Sequence, residues 1–173
     1  TGLEASTFDL SAIDSLGVAE SALMENAGRS AALVVQSLYR PNRVVGVVGA
    51  GNNGGDTLIL LRTMAAWGID ATAVLVADRP THDSFLHGWP LRMVIQDVGV
   101  NDDEITRILH GADVIVDGVL GTGARGAPRE PEAVAIKLMN NAPAPLVSLD
   151  VPSGADATSG ATPGVVVNAA LTI

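Results

Sequence analysis

The sequence predicts an α/β fold, a Rossmann-like three-layer αβα sandwich with a mainly parallel central sheet and two N-terminal helices. Short apolar runs alternate along the chain with stretches of good helix formers, as in folds built from strand–helix–strand units. Apolar residues make up 47% of the chain and aromatic residues only 3%, so the core must consist of Val, Leu, Ile and Ala. Such a core suits buried parallel strands. At 173 residues, we expect one domain over residues 1–173.

The first half of the chain supplies two helices, a strand, a turn and a third helix. Residues 4–16 and 20–39 carry good helix formers, and Gly17 separates them. The apolar run at 44–48 suits a strand buried on both faces. A glycine-rich turn follows, and residues 56–67 then predict a helix that ends at Gly68.

The second half continues the alternation. Its predicted strands are 71–77, 93–98, 114–116 and 146–149, and the apolar stretch 165–173 is expected to form another. Its predicted helices are a short one within 80–90, one at 105–110 with a cap at Asn101, and one at 131–140. We therefore expect a parallel sheet whose ligands bind at the carboxyl ends of its strands.

The net charge excludes several kinds of partner. The formal charge is −9, the sequence pI is about 4.5, and Lys137 is the single lysine. An acidic surface repels phosphates, so we expect no nucleic-acid partner. The chain has no cysteine, and no apolar run approaches the ~20 residues that span a bilayer. We expect no membrane association and a cytoplasmic location.

The first segment with chemical potential is the string GAGNNGGD at residues 49–56. Gly49, Gly51 and Gly54 match G-x-G-x-x-G between a strand and a helix, a pattern that lets a backbone approach a pyrophosphate. Asp78 follows the second strand, where a ribose-binding acid stands in dinucleotide-binding proteins. Alone, the match also fits a glycine-rich turn that binds nothing.

Two further segments each carry an aspartate at a predicted strand end. DGVLGTG begins at Asp117, and the glycines after it can wrap a phosphate with backbone N–H groups, with Arg125 as a nearby cation. LDVPSG contains Asp150 and Ser153. If the strands are neighbours, these carboxylates converge with Asp56, and such a group can bind a cation or raise a carboxyl pKa. Each segment alone also fits an ordinary loop with a turn-forming aspartate.

The strings GAGNNGGD, DGVLGTG and LDVPSG, in this order and spacing, resemble the YjeF N-terminal family, the NAD(P)H-hydrate epimerases. Residues 9–29, with ALMENAGR at 22–29, also resemble the two leading helices of that family. The resemblance implies a substrate, NADHX or NADPHX, in which water has added to C6 of the nicotinamide ring. It also implies epimerisation of the R and S forms, as one step of nicotinamide nucleotide repair.

The resemblance implies partners as well. An ADP- or ATP-dependent dehydratase then acts on the S form, and it is fused to the epimerase in many relatives. A homodimer is a further expectation. The chain starts at Thr1 without methionine, and the fuller C-terminal strand and tail of the family are not found after Ile173. We therefore expect a C-terminally truncated piece, and a bifunctional protein is one possible source.

The resemblance also implies a site that contains one potassium ion per subunit. The ion's side-chain ligands are expected to be Asn53, Asp117 and Ser153, with backbone carbonyls completing the shell. An amide, a carboxylate and a hydroxyl supply the several oxygens that K⁺ prefers. The substrate is expected to contact Asn52, Asn53, Gly54, Gly55, Asp56, Gly121, Thr122, Gly123, Ala124, Arg125, Gly126, Ala127 and Asp150.

Asp150 is the expected catalytic residue. C6 of the substrate is a hemiaminal carbon, so loss of its hydroxyl leaves a cation conjugated with the ring nitrogen, and water can return to the other face. A carboxylate near C6 can stabilise that cation and move the proton. Ring opening to an aldehyde is an alternative route. Thr57 stands where the family usually has glycine, and we expect it to narrow the approach to a phosphate.

Two other functions remain open at the level of sequence. An NAD-dependent oxidoreductase is suggested by the glycine pattern and Asp78, but no substrate domain follows and Tyr39 is the only tyrosine. A non-catalytic, RNA-associated scaffold is the second alternative. The acidic charge and the retained Asn53, Asp117, Asp150 and Ser153 argue against it.

Overall fold

The computed structural model describes residues 17–77, 79, 89 and 91–173, together with the single positions 4, 7, 11, 13 and 15. The strands are β1 (Arg43–Val48), β2 (Asp70–Leu75), β3 (Arg92–Ile95), β4 (Val114–Gly118), β5 (Leu146–Ser148) and β6 (Leu171–Thr172). The helices whose bounds lie in the described part are α1 (Glu20–Tyr39), α2 (Asn52–Ala66), α3 (Asp102–His110) and α4 (Glu132–Asn140).

All six strands form one sheet in the order β3-β2-β1-β4-β5-β6, and every pair is parallel. This is the strand order of dinucleotide-binding domains. The order reverses between β1 and β4, where Val44 pairs with Val114 and Val48 with Gly118. At such a switch point, the loops after the two strands diverge and leave a crevice at the carboxyl edge.

Helices cover both faces of the sheet. On one face, Ala32 and Val35 of α1 pack with Leu58 and Leu61 of α2 against alternate strand residues such as Val48. On the other face, α3 and α4 pack against the remaining strand positions. The buried helix residues there are Ile105, Ile108, Leu109, Ala135, Ile136 and Met139. The predicted three-layer αβα sandwich is confirmed.

The predicted elements agree with the structure in kind and differ in extent, as in the predicted strand 93–98, which is Arg92–Ile95, and the predicted helix 105–110, which is Asp102–His110. Helix α2 begins at Asn52, four residues before the predicted start, because Gly51 is already its N-cap and Gly55 N–H donates to the Gly51 carbonyl. The predicted strand 165–173 is wrong over most of its length, since only Leu171–Thr172 pairs. Val167 is instead buried near α4, and Asn140 binds the segment through the Val166 carbonyl and Asn168 N–H.

Some predictions fall on residues outside the described part. In the predicted first helix, 4–16, the five described positions are all helical. Most of the predicted helix in 80–90, and Asp78, lie outside the described residues. The predicted side-chain cap at Asn101 does not form, because its amide donates to the Ile95 carbonyl and its oxygen accepts from Asp97 N–H. Among the helices described, none is both long enough and apolar enough to cross a membrane.

The contact between α1 and α2 depends on Gly28. A Cβ atom placed on Gly28 would lie 2.6 Å from the Asp56 carbonyl and 2.6 Å from the Ile59 side chain. We expect Gly28→Ala to lower the free energy of unfolding by about 1–3 kcal/mol through overpacking, although alanine is otherwise the better helix former. Urea denaturation of the two proteins measures the difference.

Gly123→Ala is the matched control, because a Cβ there meets nothing within 4 Å. Its free energy of unfolding should stay near that of the unchanged protein. A Gly28→Ala protein as stable as the parent would show that α1 and α2 can separate without cost.

Candidate active site at the switch point

A cavity of about 820 Å³ opens at the carboxyl edge of the sheet, over the ends of β1, β4 and β5. Helix α1, the start of α2, the loop after β4 and the start of α4 form its walls. The lining residues are Ala27, Ser30, Ala31, Val34, Ala50, Gly51, Asn52, Asn53, Asp56, Val119, Leu120, Gly121, Thr122, Gly123, Ala124, Glu132, Leu149, Asp150 and Ile173. The three sequence segments singled out above therefore meet in one place.

The glycines after β1 serve two different purposes. A Cβ on Gly49 would lie 1.9 Å from the Val119 carbonyl, and one on Gly54 would lie 2.1 Å from the Gly49 carbonyl. These two glycines let parts of the protein's own backbone approach each other. Only Gly51, where an added Cβ meets nothing within 4 Å, lies open to the cavity at the N-terminus of α2. A phosphate would meet the helix at this point.

Asn53 links the two loops that follow β4 and β5. Its Nδ2 donates to the Leu120 carbonyl at 2.8 Å and to the Leu149 carbonyl at 3.2 Å. The side chain is 7% exposed, and its Oδ1 is buried without a hydrogen-bond partner in the part of the chain that is described. Buried acceptors rarely stay unpaired, so this oxygen is a candidate ligand for a bound group.

The carboxylate of Asp117 is fully buried at the β4–β5 junction. It accepts hydrogen bonds from Ser148 Oγ at 2.7 Å, Ser153 Oγ at 2.5 Å, Ser153 N–H at 2.9 Å and Val119 N–H at 3.2 Å. Burial raises the pKa of Asp117 above its ordinary value, and the bonds from Ser153, Ser148 and Val119 partly oppose that rise. No charged side chain is among the causes of the shift.

Ser153 connects Asp117 to the cavity loop. While donating to Asp117, its Oγ accepts a hydrogen bond from Leu120 N–H at 2.9 Å. Leu120 is also the residue whose carbonyl accepts from Asn53. Asn53, Asp117 and Ser153 thus belong to one connected hydrogen-bond network around Leu120.

Asp150 is held at the cavity by an unusual backbone conformation. Its φ is 68°, and Val151 N–H donates to the Leu149 carbonyl at 2.8 Å, which closes a γ-turn centred on Asp150. Asp150 N–H donates to the Ile173 carbonyl, and Asp150 Oδ2 accepts from Thr122 N–H at 2.7 Å. Positive φ at a residue other than glycine is uncommon and strained, and such strain concentrates at functional positions.

A close approach at Gly121 places Asp150 beside Asn53. A Cβ on Gly121 would lie 3.0 Å from Asp150 Oδ2 and 3.3 Å from Asn53 Cβ. The exposed carboxylate of Asp150 and the buried amide of Asn53 therefore flank the same short stretch of the cavity loop. Of the three carboxylates expected to converge, Asp56 and Asp150 line the cavity, whereas Asp117 is not a lining residue and is fully buried.

The structure divides the predicted substrate residues into two groups. Those that line the cavity are Asn52, Asn53, Asp56, Gly121, Thr122, Gly123, Ala124 and Asp150. Gly54, Gly55, Gly126 and Ala127 are not lining residues, and their substrate contacts stay predictions. The same is true of Arg125, whose Nη1 donates to the carbonyls of Thr122 and Ala124 in its own loop.

Thr57 does not narrow the cavity as expected. Thr57 belongs to α2 and is fully buried on the side of the helix that faces the sheet, and its Oγ1 donates to the Asn53 carbonyl. A Cβ on Gly118 would lie 1.8 Å from Thr57 Oγ1, so Thr57 fills the space that Gly118 leaves between α2 and β4. It faces the sheet and is not a lining residue.

Sequence reasoning missed the wall formed by α1. Ala27, Ser30, Ala31 and Val34 line the cavity at the spacing of one helix face. That periodic row of small residues was visible in the sequence, but it indicates only that something packs there. Glu132 was missed too, because an acid in the first turn of a helix normally indicates a favourable dipole interaction.

The comparisons with known proteins agree with this geometry. The family model described as YjeF-related protein N-terminus matches residues 20–173. The bifunctional NAD(P)H-hydrate repair enzyme Nnr of Escherichia coli is 38% identical over 94% of this chain and 32% of that protein. The NAD(P)H-hydrate epimerase of Pirellula staleyi is 33% identical over 93% of this chain and 74% of that protein.

The crystal structure of yeast ynu0 matches with a TM-score of 0.84 at 25% identity, and covers 99% of this chain and 77% of that chain. The chain belongs to the YjeF-related N-terminus family. It spans about a third of the length of the bifunctional relatives.

The residues of this YjeF N-terminal domain fit a monovalent cation. Asn53 Oδ1 is a buried acceptor without a partner among the described residues, and Asp117 is a buried carboxylate whose pKa no basic side chain lowers. Ser153 Oγ and the carbonyls of Leu120 and Leu149 add further oxygens to the same network. These are the hard, mostly neutral oxygen donors that an alkali cation takes.

Ser148 is a test of how far the domain depends on the Asp117 network. Its Oγ is fully buried and donates to Asp117 Oδ2. We expect Ser148→Ala to lower the free energy of unfolding by about 1.5–3 kcal/mol, because a buried carboxylate loses a donor that water cannot replace. Chemical denaturation measures the change.

Ser159→Ala provides the matched comparison, since Ser159 Oγ donates to the carboxylate of Asp156 at an exposed position. Its effect should stay within about 0.5 kcal/mol. Equal effects of the two substitutions would show that burial of the Asp117 carboxylate is not what matters.

Proposed function

We propose that this domain interconverts the R and S epimers of NADHX and NADPHX, the hydrated forms of NADH and NADPH. The observation that carries the proposal is the exposed carboxylate of Asp150, held by a strained turn in a cavity at the switch point of a dinucleotide-binding sheet. The relatives named NAD(P)H-hydrate epimerase support it, because they match most of both chains.

The cavity suits a dinucleotide in shape and in the groups that it offers. The N-terminus of α2 at Gly51 and Asn52 provides backbone N–H groups and a positive dipole end for a pyrophosphate. The wall of α1 is apolar and built of small side chains, so a flat ring can lie against it. Asp150 and Thr122 lie opposite, on the loops after β5 and β4.

Epimerisation requires that the hydroxyl at C6 leaves and that water returns to the opposite face. The C6–O bond breaks as Asp150 gives a proton to the leaving oxygen, which departs as water, and the ring nitrogen shares the positive charge that develops at C6. The resulting carboxylate of Asp150 stabilises that charge and takes a proton from the water that adds, which restores the starting state. Thr122 N–H, bonded to Asp150 Oδ2, keeps the carboxylate oriented during these steps. Opening of the ring to an aldehyde is the alternative route, and it needs the same proton transfers.

Potassium is the ion that we assign to the network around Leu120. Asn53 Oδ1, the Asp117 carboxylate and Ser153 Oγ would hold it, with nearby backbone carbonyls. When bound, the ion would supply positive charge beside Asn53, Asp117 and Ser153. The chain itself fixes the two loops, since Asn53 Nδ2 ties the carbonyls of Leu120 and Leu149 together.

The proposed product has a defined use. The S epimer is the substrate of a nucleotide-dependent dehydratase, which we infer to be the functional partner of this domain. The bifunctional relatives, named NAD(P)H-hydrate repair enzymes, support a fusion of the two activities in one chain.

Asp150→Asn tests the chemistry. We expect the rate of R-NADHX epimerisation to fall by about 10²–10⁴-fold, because an amide can neither accept nor return the proton. The fold should persist, since asparagine tolerates positive φ and can still accept from Thr122 N–H. Chromatographic separation of the epimers gives the rate, and thermal denaturation checks the fold.

Asp113→Asn is the control, because this carboxylate accepts from Asn42 and Arg43 N–H away from the cavity. It should epimerise R-NADHX at the rate of the unchanged domain. Full activity in Asp150→Asn would remove Asp150 from the chemistry.

The ion proposal is tested by stability as well as by activity. A ligand that binds only the folded state at 100 times its dissociation constant stabilises it by about 2.7 kcal/mol. We expect K⁺ to raise the melting temperature of the unchanged domain and of Asn52→Ala, but not of Asn53→Ala. Asn52 is the neighbouring exposed amide, whose Nδ2 donates to Glu20. The same K⁺ response in both variants would show that Asn53 is not a ligand.

A further inference from the structure

The walls of the cavity carry negative charge without any basic side chain. Asp56, Glu132 and Asp150 are lining residues, and none of the ten Lys and Arg residues of the chain is. All ten lie in the described part, so this holds for the whole sequence. A separate observation also points to a ligand here, because Asn53, which is 7% exposed, lines the cavity and its Oδ1 has no hydrogen-bond partner among the described residues.

We propose that this cavity selects against the 2′-phosphate of the adenosine ribose, so that NADHX is preferred over NADPHX, and that Glu132 is a residue that determines this preference. The inference rests on the proposed function and specifies its substrate. The two hydrates differ only in a phosphate that carries a charge of about −1.5 to −2 at neutral pH.

The three carboxylates lie on different walls. Asp56 is on α2, Glu132 begins α4 and Asp150 follows β5. A phosphate that enters the cavity therefore meets a carboxylate on each of these walls. Salt screens such repulsion, with a Debye length of roughly 8 Å at physiological ionic strength. We expect the added phosphate to be disfavoured inside the cavity.

Glu132 has the clearest effect on specificity because of its place on α4. In α4 the N–H groups of Ala133 and Val134 already donate to the carbonyls of Arg129 and Pro131, so few are left for a phosphate. Glu132 is the first residue of α4 and lines the cavity, and its carboxylate places negative charge at this helix N-terminus. Asp150 is assigned to proton transfer, and Asp56 lies beside the N-terminus of α2, where the pyrophosphate would bind.

The nearest basic groups are already engaged. Arg125 Nη1 donates to the carbonyls of Thr122 and Ala124. Arg79 Nη1 donates to the carbonyls of Gly49 and Gly51 and is not a lining residue. Neither arginine is among the residues that line the cavity.

The experiment compares kcat/KM for R-NADHX and R-NADPHX at low and high ionic strength. We expect about a tenfold preference for NADHX at low salt, which shrinks as salt screens the repulsion. Glu132→Gln should raise kcat/KM for NADPHX several-fold and change that for NADHX less. Glu130→Gln, an exposed acid two residues earlier that does not line the cavity, should leave the ratio as it is.

A binding measurement separates this inference from the proposed function. Calorimetry with ADP-ribose and 2′-phospho-ADP-ribose needs no turnover, and the first should bind about tenfold more tightly at low salt. If that difference is found while neither hydrate is epimerised, the function fails and the selectivity stands. Three results would overturn the proposed selectivity. The two compounds could bind equally well, or neither could bind. The third is a preference for the phosphorylated compound that Arg125→Gln abolishes.

Discussion

The arrangement of the cavity depends on one buried group, the carboxylate of Asp117. It lies within β4, pairs in register with Ser148 of β5, and accepts from both the hydroxyl and the N–H of Ser153. A carboxylate without water is costly unless such donors surround it. The strand β4, the strand β5 and the loop that contains Ser153 therefore have little freedom to move relative to one another. The cavity floor is rigid because the charge beneath it requires these partners.

The other walls of the cavity lie close to this floor because backbone segments approach each other closely at glycines. Gly49 and Gly118 have no room for a side chain, because a Cβ would meet the Val119 carbonyl in the first case and Thr57 in the second. Helix α2 can therefore start immediately after β1, and its first turn places Asn53 between the Leu120 and Leu149 carbonyls. The glycines whose spacing resembles a nucleotide-binding motif act largely within the protein, and Gly51 is the one that leaves open space beside the cavity.

Local patterns predicted the fold well, and the site less completely. The valine-rich run of β1 predicts a strand buried on both faces, and the helix formers of α1 predict a helix that covers the sheet. Both patterns are typical of a parallel sheet between layers of helices. The segment 165–173 misled because its valines are buried by packing near α4 rather than by pairing. Asn53, Asp117 and Asp150 were found from their motifs. The wall of α1 and Glu132 were not, because only the packing of α1 and α4 against the sheet brings them to the cavity.

A few hydrogen bonds around Leu120 link the proposed ligands of the ion to Asp150, the proposed catalytic residue. Leu120 N–H donates to Ser153 Oγ, and the Leu120 carbonyl accepts from Asn53 Nδ2. Asn53 Nδ2 also donates to the Leu149 carbonyl, which closes the γ-turn centred on Asp150. A change in how Asn53 is held thus acts directly on the turn that positions the Asp150 carboxylate. Asn53 is therefore the side chain common to the proposed ion site and to the turn that holds Asp150.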